Sequence, residues 1–116
     1  MIKVDKCGNI AITQGDSGTI KQTLWIDKNK SEIFTLSEGE YIELFVRVIA
    51  GGEPVLTKRA SEQYEDGAIL FYFTSQETAA LARGEYIYDT ALFSDDPEKK
   101  NTYAGGDVKK RTFSIV

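Results

Sequence analysis

A chain of 116 residues with 41% hydrophobic and 28% charged content is long enough to bury one core and too short for two, so residues 1–116 read as a single domain. No apolar run approaches the ~20 residues that a spanning helix needs, and no long apolar stretch follows the first positive charges, which predicts neither membrane insertion nor a secretory signal. A net charge of −4 counts against nucleic acid as a partner; with no histidine and only Cys7, an internal disulfide is excluded and a transition-metal site lacks its ligands.

In chain order, residues 9–13 alternate as a first edge strand, and Gln14-Gly15-Asp16-Ser17-Gly18 supplies the turn that ends it. Residues 19–26 alternate next, with Ile20, Leu24 and Ile26 on one face and Thr19, Lys21, Thr23 and Trp25 on the other. Residues 27–30 form a polar turn, and 31–37 are irregular, with Ile33, Phe34 and Leu36 as plugs under one end of a sandwich. The strongest strand signal spans 41–50, with Ile42, Leu44, Val46 and Val48 inward and Tyr41, Glu43, Phe45, Arg47 and Ile49 outward. Gly51-Gly52 suits a tight hairpin, after which residues 55–59 return behind Pro54.

After a turn at 64–67, Ile69, Phe71 and Phe73 point inward from a further strand. Thr74 followed by Glu77 has the spacing of a capping box, which predicts one short helical turn that Gly84 stops in a left-handed conformation. Leu81, Gly84 and Tyr86 then have the spacing of a tyrosine corner, where a tyrosine near the start of a strand bonds its hydroxyl to backbone a few residues upstream. Beyond it, Tyr86, Tyr88, Thr90 and Leu92 share one face and Ile87, Asp89, Ala91 and Phe93 the other. Residues 94–101 form a charged loop tip, Gly105-Gly106 permit a kink, and Phe113 and Ile115 close the core from a last strand, with Lys109-Lys110-Arg111 as a solvated edge. The sum is an all-β, antiparallel, immunoglobulin-like sandwich of seven or eight strands.

Little in this pattern carries chemistry. Gly15-Asp16-Ser17-Gly18 is identical to the tetrapeptide around the nucleophile of chymotrypsin-like proteases, but without histidine the serine has no general base in that mechanism, and we read a turn. Asp95, Asp96 and Glu98, with Asp107, could offer oxygen ligands to calcium, yet Pro97 and the lysines after it describe an ordinary loop tip. Cys7 reads as a small hydrophobe near a sheet edge, and no glycine-rich phosphate loop joins a strand to a helix. We expect no enzyme, no metal and no cofactor.

The second face is less usual. Trp25, Tyr41, Phe45, Ile49, Leu70, Tyr72, Ile87 and Phe93 all fall opposite the side assigned to the core, where an antiparallel sheet is normally polar. Either they form an aromatic patch that meets a partner, or a loop or the N-terminal arm covers them.

Several segments together resemble a known family: Ile12-Thr13-Gln14-Gly15-Asp16-Ser17, Tyr41-Ile42-Glu43-Leu44-Phe45-Val46-Arg47-Val48, Gly67-Ala68-Ile69-Leu70-Phe71, then Thr78, Leu81, Gly84, Tyr86, Tyr88-Asp89 and Leu92, and last Phe113-Ser114-Ile115. In order and spacing this layout is similar to small immunoglobulin-like domains of tailed phages and prophages of Gram-positive bacteria, including the N-terminal domain of baseplate upper proteins. The resemblance implies a virion protein, made in the bacterial cytoplasm, that assembles with other tail or baseplate proteins or with copies of itself. Those domains usually continue into a receptor-binding or trimerising region, whereas this chain stops at Val116. A module that stacks cell-surface carbohydrate on Trp25 and Tyr72 is the alternative expectation.

Overall fold

Period-two alternation becomes strands wherever turn residues bound it, and the computed structural model, which describes residues 2–23, 32–64, 66–94 and 111–116, places eight. They are β1 (Ile2–Val4), β2 (Ile10–Ile12), β3 (Gly18–Thr23), β4 (Glu40–Arg47), β5 (Pro54–Ala60), β6 (Ala68–Phe73), β7 (Gly84–Ser94) and β8 (Arg111–Ile115), with one helix, α1 (Ser75–Ala80), between β6 and β7. Six strands form a sheet in the order β1-β2-β8-β7-β4-β5, and β3 and β6 pair as a second sheet. The protein is an all-β sandwich, with the strand that carries the corner tyrosine flanked by β4 and β8.

Between the sheets lie the residues whose alternation points inward: Ile42, Leu44 and Val46 of β4, Tyr86, Tyr88 and Leu92 of β7, Phe113 and Ile115 of β8, and Ile69, Phe71 and Phe73 of β6. Phe73 and Phe113 meet at 5.2 Å between ring centroids, tilted by 48°, and join the two layers at the centre. The sides are closed by local devices. Ile2 lies across Gly18 at the start of β3, where an added Cβ would sit 3.1 Å from Ile2 Cδ1, so a larger residue there would have to push the Ile2 side chain aside. On the opposite side Lys58 points inward from the edge strand β5 and donates from Nζ to both Glu77 carboxylate oxygens at 2.9 Å. An inward charge on an edge strand discourages a further strand from adding there.

The helix begins as its sequence predicts. Thr74 Oγ1 accepts from the Glu77 amide at 3.2 Å, and the Glu77 carboxylate accepts from the Thr74 amide at 2.9 Å, a reciprocal capping box. Its end differs. Leu81 leaves the helix in extended conformation (φ −93°, ψ 135°), and Gly84, at φ 153°, opens β7 instead of stopping the turn in the left-handed helical region.

Other expectations are corrected by pairing. The run 9–13 is not an edge strand, because β1, absent from the sequence reading, hydrogen-bonds outside β2. The sandwich is not wholly antiparallel, since β2 runs parallel to β8 with Ile10 opposite Phe113 and Ile12 opposite Ile115. Arg111 belongs to that interior strand and packs on Gly8, so it is not a solvated edge; Lys109 and Lys110 lie outside the described residues. The strand expected over 41–50 ends at Arg47, which faces Pro54 across a register shift, and a proline has no amide to extend the ladder. Val48 therefore turns outward, 59% exposed, in place of its expected seat in the core. The connection is longer than a two-residue hairpin: the Gly52 amide donates to the Ile49 carbonyl at 3.1 Å, with Gly51 at φ +76°.

Candidate functional site

Register decides which outward residues meet. On the outer face of the six-stranded sheet Tyr41 lies opposite Phe93, Phe45 opposite Asp89 and Arg47 opposite Ile87. Tyr41 and Phe93 stack at 5.7 Å, and Phe45 meets Phe93 edge-on at 6.2 Å. Two arginines lie over these rings. The Arg59 guanidinium is 4.1 Å from the Tyr41 centroid and donates to Glu43 Oε1 at 3.0 Å. That of Arg47 is 4.9 Å from the Phe45 centroid, pairs with Asp89, and donates from Nε to the Gly52 carbonyl at 2.8 Å. Planar guanidinium groups cover the Tyr41 and Phe45 faces while keeping their polar edges bonded, and these two residues, like Ile87 and Phe93 beside them, are only half exposed.

Leu70 and Tyr72 stand on the opposite side of the molecule, on the outer face of β3 and β6, beside Lys21 and Thr19 respectively. They are 38% and 55% exposed. Ile49 is on neither face; at 67% exposure it occupies the tip of the β4–β5 hairpin next to Val48. Trp25 lies outside the described residues. The seven described residues of the eight expected on one aromatic face are thus divided among two outer faces and a hairpin tip, because β6 belongs to the other sheet from β4 and β7.

A groove of about 570 Å³ opens where the segment before β4 meets the segment after β5, with Ile33, Leu36, Glu38, Ser61, Tyr64 and Gly67 among its lining. Its two walls are cross-linked by the side-chain amide of Gln63. Nε2 donates to the carbonyls of Phe34 at 2.7 Å and Gly67 at 3.1 Å, while Oε1 accepts from the Leu36 amide at 2.8 Å. One wall is also fixed by buried Glu40, whose Oε1 accepts from the Ser37 amide at 2.6 Å. Sequence reading placed Ile33 and Leu36 at an end of the sandwich and missed Gln63, which forms no motif with the backbone groups it joins.

The tyrosine corner is present as hydrogen-bond geometry: Tyr86 Oη donates to the Ala82 carbonyl at 2.7 Å. Two residues on, Tyr88 Oη donates to the Gly8 carbonyl at 2.5 Å and ties β7 to the β1–β2 connection. Burial raises the Tyr88 hydroxyl pKa above the ordinary phenol value, against the lowering influence of Arg111. In that connection Asp5 Oδ1 accepts from the amides of Cys7 and Asn9, both at 2.9 Å. Those bonds, the Asn9 amide's first, hold the Asp5 carboxyl below its usual pKa.

The tetrapeptide Gly15-Asp16-Ser17-Gly18 is a turn docked on α1. Fully buried Thr78 accepts from the Gly15 amide at 3.0 Å and donates to the Asp16 carbonyl at 2.7 Å, and Gln14 Nε2 donates to the Leu81 carbonyl at 2.8 Å. Cys7 is exposed rather than packed as a hydrophobe. No group of three or more potential metal ligands occurs among the described residues, and the acidic loop with Asp95, Asp96, Glu98 and Asp107 lies outside them. Compared with protein-family models, with curated proteins and with solved structures, the chain matches none.

Proposed function

We propose that this chain is a non-catalytic structural and interaction domain that docks into the tail or baseplate of a tailed phage or prophage, alongside other virion proteins or copies of itself. The observation that carries the docking is apolar surface held outward on ordered backbone: Leu70 and Tyr72 on one face, Val48 and Ile49 on a hairpin tip that Arg47 braces through the Gly52 carbonyl. Rigid apolar groups of this kind lose little freedom on association. The assignment to a phage tail is supported by the order of sequence segments that resembles such domains. Assembly in the bacterial cytoplasm and incorporation in the virion follow from that assignment. Neither nucleic acid nor membrane insertion enters this reading; among the described residues no helix is long and apolar enough to cross a bilayer.

Size-exclusion chromatography with light scattering, on the chain alone and mixed with the products of neighbouring tail genes, tests the proposal. Co-elution or self-assembly is expected, and a strict monomer that binds none of them sinks it. A second reading, a carbohydrate-binding module, draws on the exposed Tyr72 ring, since sugars stack on such surfaces. A glycan array with Tyr72→Ala and Trp25→Ala as controls separates the two readings: binding lost in either variant favours the module, and no ring-dependent binding removes it.

A further inference from the structure

The groove between the segments before β4 and after β5 has a sign and a shape. Its floor is aliphatic, from Ile33 and Leu36; Tyr64 contributes an exposed ring; Glu38 brings a carboxylate; and among the described residues no lysine or arginine lines it, in a chain of net charge −4. Both walls are held in place before anything binds. Gln63 bonds to backbone on each side, Glu40 locks Ser37, and Gly67 lies so close beneath Ile33 that an added Cβ would stand 2.5 Å from Ile33 Cγ2. Phosphates and acidic ligands find no cation among the described lining residues. A lysine or arginine finds each of its parts met: aliphatic carbons for its stem, a ring face for the cation and a carboxylate for its charge.

We infer that this groove receives a short basic segment of a partner protein, extended across Ile33, Leu36 and the Tyr64 ring with a lysine or arginine head at Glu38. The inference rests on the docking reading above and adds to its exposed apolar residues a separate contact site with a stated chemistry. The volume of about 570 Å³ admits more than one long side chain, and opposite charge on the two partners favours encounter as well as register.

The test is an NMR titration of the intact, isotopically labelled chain with a blocked hexapeptide of alternating lysine and leucine. The same peptide with glutamate in place of lysine, and maltose, serve as controls. The lysine peptide should shift amide signals of residues 33–38 and 61–67, and its affinity should fall roughly tenfold between about 20 mM and about 200 mM salt. Glu38→Gln and Tyr64→Ala should each weaken it roughly three- to tenfold. Tyr64→Ala is expected to fold, because the ring is exposed and the backbone bonds of residue 64, to the Ala68 carbonyl and from the Gly67 amide, do not depend on the side chain. No groove shifts at low salt, an equal response to the glutamate peptide, a groove response to maltose instead, or full affinity in both variants overturns the inference. Co-elution of tail proteins with Tyr64→Ala as strong as with the parent chain also overturns it while leaving the docking reading intact. Peptide binding in the groove with no tail protein bound leaves the groove assignment standing and removes the phage-tail reading.

Discussion

The two outer faces of the sandwich carry aromatic side chains under different conditions. On the six-stranded sheet Tyr41, Phe45 and Phe93 contact one another and lie under Arg59 and Arg47, whose own charges are met by Glu43 and Asp89. On the two-stranded sheet Tyr72 and Leu70 stand beside Thr19 and Lys21, and Lys21 turns to Asp66 at 2.9 Å. The larger sheet has neighbouring strands on both sides of β4 and β7 to supply cover, whereas β6 has only β3. Facing outward is a property of the strand; being wet depends on how many strands lie alongside.

The largest effect expected on either side of this comparison comes from the inner layer, which sets its scale. Phe113→Ala, removing a fully buried ring packed on Phe73, should cost about 3–5 kcal/mol in urea unfolding. If the outer-face change Phe93→Ala cost as much, the two faces of β7 would be equally buried and the comparison would fail.

Next come the two inward tyrosines of β7. Tyr86→Phe orphans the Ala82 carbonyl and Tyr88→Phe the Gly8 carbonyl, so each should cost about 1–3 kcal/mol. From sequence alone Tyr88→Phe is expected to cost less, since only Tyr86 has a corner role; the bond to Gly8 removes that distinction. A negligible loss for Tyr86→Phe would show that the corner does not hold the sandwich together.

Phe93→Ala, which breaks both ring contacts of the covered outer face, should cost about 1–2 kcal/mol. In urea unfolding Arg59→Ala should then cost less in a Tyr41→Ala background than it does alone, because the contact the two side chains share is already lost.

A smaller, pH-dependent effect comes from Glu77. Burial raises its pKa, but the Thr74 amide and the Lys58 ammonium outweigh burial and leave it below the ordinary glutamate value of 4.5. A carboxyl depressed in the folded state contributes stability above its unfolded pKa, and this is lost as pH falls through the folded value. Urea unfolding of the parent chain should therefore weaken as the pH drops below about 4.5, and Glu77→Gln should show a shallower decline over that range. An unchanged slope in the variant would remove Glu77 as a contributor.

Smallest of all, Tyr72→Ala should change stability by no more than about 0.5 kcal/mol, while any assembly through that face should weaken. A loss comparable to Phe93→Ala would mean that Tyr72 is covered, and the contrast between the faces would disappear.

What the sequence determined by itself is what short-range geometry can encode. Alternation placed Ile42, Leu44 and Val46 inward and Tyr41 and Phe45 outward, because successive side chains on a strand point to opposite sides whatever the neighbours. The capping box of Thr74 and Glu77 and the Tyr86 bond to Ala82 join residues three and four apart, so their spacing sufficed. Only the tertiary structure decided which strands lie side by side. That choice made β2 parallel to β8, gave Tyr88 a partner 80 positions away, and set Thr78 on the Gly15–Asp16 turn. It also separated Tyr72 from Tyr41 by the thickness of the sandwich and brought Gln63 between two loops. The physical reason is that such contacts are fixed by the collective burial of the inner faces, which no local stretch can express alone.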